Sequence, residues 1–98
     1  MKAYKHLVDY ALKAGHKISV WDGEEWQVSK STLEPKIIEA IESVEEAQLR
    51  IVDNEGKEIG WAQIVPFGLE DDETVADFTM SKFMLDWDES YTGKRLEL

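Results

Sequence analysis

The chain has 98 residues, 43% of them hydrophobic, which suits one domain with one modest core and excludes a compositionally disordered segment. Its 21 acids against 11 Lys and Arg leave a formal charge of −10, a field that repels nucleic acid and attracts basic protein surfaces. No cysteine is present and only two histidines, so disulfides, thiolate chemistry and a three-histidine metal centre are excluded.

The charge is uneven. Residues 1–21 hold four Lys and one Asp, and the excess of acid lies in everything that follows. No apolar run approaches the roughly 18 residues of a membrane span, and residues 1–17 lack the apolar segment and small-residue cleavage pattern of a signal peptide. A reducing, cytoplasmic location fits both observations.

In chain order, residues 2–14 read as a helix, with Tyr4, Leu7, Val8, Ala11 and Leu12 at helical spacing and Gly15 as its stop. Residues 17–21 and about 25–30 read as a short hairpin around Asp22-Gly23, with Glu24 and Glu25 at its tip. Residues 33–45 read as a second helix. Thr32 is its expected N-cap, Pro35 falls in the first turn, and Leu33, Ile37, Ile38, Ile41 and Val44 form its stripe.

Residues 47–53 and 58–65 form the expected central hairpin, turning through Asp53–Lys57. Both sides of its second strand carry apolar side chains, the pattern of a strand buried on both faces or lying in a dimer interface. Gly60 marks a bulge or a close backbone approach. An acid-rich loop follows, with a short edge strand expected over 74–79. A third helix is expected over 80–91, capped by Thr79 or Ser81, with a seam of Met80, Phe83, Met84, Trp87 and Tyr91 and with residues 92–98 frayed. The expected fold is α+β, a two-layer sandwich. A mainly antiparallel four-stranded sheet, with a fifth edge strand as an option, carries about three helices in the order α-β-β-α-β-β-α.

No pattern for chemistry emerges. Glu70, Asp71, Asp72, Glu73 and Asp77 are dense, but glycoside hydrolysis needs two carboxylates held across a cleft, and these lie on one loop. Asp86, Asp88, Ser90 and Glu97 match positions of a calcium loop, yet its obligatory turn glycine is replaced by Tyr91. No serine has a histidine and an orienting group in a recognisable pattern, and no glycine-rich phosphate loop occurs. No cofactor or metal is expected, and the chain reads as non-catalytic.

Among the aromatics, Trp21 and Trp26 are expected to pair across the first hairpin, worth a few tenths to about 1 kcal/mol. Trp21 beside Glu24 and Glu25 also reads as an exposed anchor ringed by acids. Trp61 and Trp87 are expected in the core. The candidate partner surface adds Glu39, Glu42, Glu45 and Glu46 on the second helix, Glu70, Asp71, Asp72 and Glu73 on the loop, and Asp86, Asp88 and Glu89 on the third helix. The expected function is an accessory or regulatory protein-interaction domain that contacts a basic protein surface, with no direct nucleic acid and no membrane partner. Two alternatives stand beside it: a nucleic-acid mimic that blocks a basic DNA- or RNA-binding protein, and a structural module that forms a homodimer.

Overall fold

The computed structural model describes residues 2–96, with side chains through residue 93. Three helices pack on one five-stranded antiparallel sheet, the expected α+β class, and the optional fifth strand is present. The elements are α1 (Ala3–Lys13), β1 (Lys17–Trp21), β2 (Trp26–Ser31), α2 (Glu34–Glu42), β3 (Ala47–Val52), β4 (Glu58–Ile64), a 3₁₀ turn (Asp71–Thr74), β5 (Val75–Phe78) and α3 (Lys82–Leu96). Strand order across the sheet is β2-β1-β3-β4-β5. Both β2 and β3 run antiparallel to β1, so they are parallel to each other, and α2 makes the crossover between them.

Alternation builds the core. The register Val20–Leu49–Ala62 and the pairs Ile18↔Ile51 and Ala47↔Ile64 put small and branched side chains on one face of the sheet. That face meets Leu7, Val8 and Ala11 of α1, Ile37 and Ile41 of α2, and Met84 and Trp87 of α3, all buried. The helices therefore form one layer, with α1 in contact with both α2 and α3.

Local sequence explains most element ends. Gly15, at φ +87°, stops α1: its N–H donates to the Leu12 carbonyl and that of His16 to the Ala11 carbonyl. In the β1–β2 turn, Asp22 Oδ1 accepts the N–H groups of Glu24 (2.7 Å) and Glu25 (2.8 Å). Asp53 does the same in the β3–β4 turn for Glu55 and Lys57.

The boundaries of α2 and α3 differ from those predicted. The N-cap of α2 is Leu33, not Thr32, and Leu33 has no side-chain acceptor with which to cap the helix; Ser31 Oγ accepts the Leu33 N–H ahead of it. The same helix ends at Glu42, short of 45, because the Ser43 hydroxyl bonds back to the Ala40 carbonyl at 2.7 Å and competes with the next helical bond. Met80 lies outside α3 and is 75% exposed. Of the two expected caps, Ser81 stands immediately before α3 with its carbonyl accepting the Leu85 N–H, while its Oγ donates to the Ile59 carbonyl and Thr79 Oγ1 accepts from the Trp61 N–H instead. Helical backbone continues past 91 to Leu96, because good helix formers follow the weak pair Thr92-Gly93. The rest of the stretch expected to fray, residues 97–98, lies outside the described residues.

Candidate functional site

The pairing register decides where the acids go. Trp21 pairs with Gln48, Ala47 with Ile64, and Ile64 with Val75. The end of β1, the start of β3, the end of β4 and the start of β5 therefore share one end of the sheet. Three connections leave from that end and all are acid-rich: the β1–β2 tip with Glu24 and Glu25, the α2–β3 link with Glu42, Glu45 and Glu46, and the β4–β5 loop with Glu70, Asp71, Asp72 and Glu73. Neighbouring strands lie about 4.8 Å apart, so the whole group spans roughly 20 Å. All of these side chains are exposed.

The β4–β5 loop is pinned at its base. Thr74 is fully buried; its Oγ1 accepts the Tyr4 N–H at 3.3 Å and donates to the Asp71 carbonyl at 2.8 Å, and its carbonyl accepts the Val65 N–H. Above this anchor the loop exposes two large apolar side chains, Phe67 at 63% and Leu69 at 99%. The acidic end thus carries apolar mass among its carboxylates.

Two lysines from the start of α1 reach this end, and both have contacts there. Lys2 Nζ donates to the Pro66 carbonyl at 2.9 Å, and Lys5 Nζ lies 3.8 Å from Glu42. Glu42 also accepts the Tyr4 hydroxyl. Burial first, then the hydrogen bond to Glu42 and its charge, push the Tyr4 phenol well above its ordinary range, so it stays protonated. Among the described residues, no ion pair engages Glu24, Glu25, Glu45, Glu46, Glu70, Asp71 or Glu73.

The remaining candidates stand apart. Glu39 lines a shallow groove of about 300 Å³ between α2 and β2, beside Lys36 and Ser43. Asp86 is paired with Lys82 at 2.9 Å, and Asp88 and Glu89 lie further along α3. The candidate surface is thus a compact end with outlying acids on the helix layer.

The tryptophans divide differently from expectation. Trp87 is core, 2% exposed, with its Nε1 donating to His6 Nδ1 at 3.1 Å. Trp61 is not core. By alternation with buried Ala62 it lies on the sheet face that carries no helix, half-buried, with Nε1 donating to Gln48 Oε1 at 3.3 Å. Trp21 and Trp26 pair edge to face at 5.0 Å, as expected, and the Arg50 guanidinium lies 5.0 Å over the Trp26 ring. The period-two pattern of Trp61 and Gln63 against Ala62 and Ile64 held this placement, but the apolar bulk of Trp61 masked it.

A second groove, of about 420 Å³, lies at the other end of the sheet and joins His16 to Glu58 and Asp86. It assembles no acid–base pair. His16 Nδ1 is buried without a partner, Glu58 pairs with Arg50 at 3.3 Å, and Asp86 with Lys82. Among the described residues, no group of three or more His, Cys, Asp or Glu is placed to hold a metal ion, and no helix is long and apolar enough to cross a membrane. Compared with protein families, curated proteins and solved structures, the chain matches none.

Proposed function

We propose that this chain is a non-catalytic protein-interaction domain, an accessory or regulatory protein that presents its acidic end to a basic surface on another protein. The observation that carries this reading is the convergence of three acidic connections on one end of the sheet, with Phe67 and Leu69 exposed among them. Glu24, Glu25, Glu45, Glu46, Glu70, Asp71 and Glu73, which make no ion pair among the described residues, steer a basic partner into place, and the apolar pair supplies the desolvated contacts from which interfaces draw most of their affinity.

Mimicry of a nucleic-acid backbone is the second reading. The same clustered carboxylates favour it, set against an exposed apolar pair that a phosphate groove has no use for. In that case a short DNA duplex competes for the captured protein.

The test is capture of basic proteins by wild type and two charge-reversed variants. Glu45→Lys with Glu46→Lys alters the acidic end, and Asp88→Lys with Glu89→Lys alters α3 by the same charge. The expected result is loss of capture in the first variant only, with release of the wild-type partner as salt rises. Equal capture by both variants, or binding indifferent to salt, refutes the reading.

A further inference from the structure

The helix-free face of the sheet adjoins the acidic end, and we propose that two copies of this chain associate there, sheet face against sheet face. Exposed faces of antiparallel sheets are ordinarily polar. This one carries three of the four tryptophans, Trp21, Trp26 and Trp61, with the amides of Gln48 and Gln63 between them. Its Arg50 is balanced by Glu58 at 3.3 Å, and the register adds Lys17 and Asp77, one charge of each sign.

Charge and strand edges select the occupant. A face so nearly neutral gives no attraction to a strongly charged partner, but it is where two chains of charge −10 can touch without opposing carboxylates. Pairing through the sheet edges is guarded against. Strand β2 has two register shifts against β1, with Lys30 at φ +47°, and β5 is four residues long, shifted against β4 and carries Asp77. Face-to-face contact is left open.

Orientation follows from polarity along the strands. Carboxylates crowd one end of the sheet, while at the other Lys17, Lys30, Lys57 and Lys82 offset the acids. Stacking two copies with strands running the same way sets acidic end on acidic end. Reversing them sets each acidic end over lysines. Five strands at about 4.8 Å spacing and about six residues at 3.3 Å give a flat footprint of roughly 480 Å². That is less than the ~800 Å² per partner of a standard interface, so the association belongs in the micromolar range.

Sedimentation equilibrium of the full chain across that range tests the proposal. The expected mass rises from 11.3 kDa towards twice that value. Gln63→Glu, which sets a second carboxylate beside Asp77 of β5 inside the proposed contact, weakens association by on the order of tenfold or more, with the far-ultraviolet spectrum unchanged. Lys36→Glu on α2 and Glu89→Lys on α3, both exposed in the helix layer, leave it as in wild type. Because the chain lacks cysteine, an oxidised mixture of Gln63→Cys and Glu58→Cys, at opposite ends of β4, reports orientation, and the mixed disulfide is expected to dominate. A monomer through the high micromolar range, a dimer sensitive at Lys36 or Glu89 instead of Gln63, or a predominance of self-disulfides overturns the proposal. None of these outcomes bears on capture at the acidic end.

Discussion

Asp22 closes the first hairpin with one carboxylate. The backbone N–H of Glu25, then that of Glu24, then the Gln27 side chain hold its carboxyl below the ordinary carboxylate range. A depressed folded value means that the stabilisation is present above the unfolded value of about 3.9 and is lost as pH falls through the folded one. The Trp21–Trp26 pair sits directly on this turn, so its coupled circular-dichroism signal should weaken on acidification below about pH 4. Asp22→Asn keeps an acceptor oxygen and removes the charge, and should retain that signal into acid. An unchanged acid transition in the variant would assign it to other carboxylates.

Gly60 makes a steric demand. A Cβ there would lie 2.6 Å from Met84 Sδ and 2.8 Å from its Cγ, so the absence of a side chain lets α3 settle on β4. Gly60→Ala is expected to destabilise the fold by about 1–3 kcal/mol through overpacking. The cost should shrink in a Met84→Ala background, which a double-mutant cycle in denaturant measures. Of the two roles the sequence allowed this glycine, close approach is the one shown at its own Cβ, and the register shift between Ile51 and Val52 falls beside it.

At the scale of elements, α1 and α3 are joined by a hydrogen bond between two aromatic rings. Trp87 Nε1 donates to His6 Nδ1, which makes that nitrogen an acceptor and leaves any ring proton of the neutral imidazole on Nε2. His6 is 8% exposed. Trp87→Phe keeps most of the ring volume but removes the donor, and should cost about 1–3 kcal/mol in chemical denaturation. A loss no larger than that of an exposed substitution would mean that His6 finds another donor.

Helix α3 also shows what periodicity conveys. The seam of Phe83, Met84, Trp87 and Tyr91 was legible from spacing alone, because a helix fixes its neighbours locally. The end of α2 was not, because it depends on one hydroxyl of Ser43 choosing a carbonyl. Strand β5 was legible only as an option: four residues after an acid run give too short a pattern. The acids were all visible in the sequence, yet their gathering was not, since it depends on pairings such as Trp21↔Gln48 between residues far apart in the chain.

For the whole molecule, the polarity along the strands carries a cost. Like charges packed at one end repel, and folding concentrates them more than the extended chain does. Neutralising part of the cluster should therefore stabilise the isolated protein. Glu45→Gln with Glu46→Gln is expected to raise Tm by a few degrees, about 0.5–1 kcal/mol, with the gain shrinking in high salt. If the cluster serves a partner, the same change weakens capture, so stability and binding move in opposite directions, as they do where a functional surface is kept against its own repulsion. If the acids serve only solubility, stability rises and capture is unaltered. Thermal unfolding and capture measured on the same two proteins separate these cases, and a Tm that falls on neutralisation would mean that the carboxylates are stabilised where they stand.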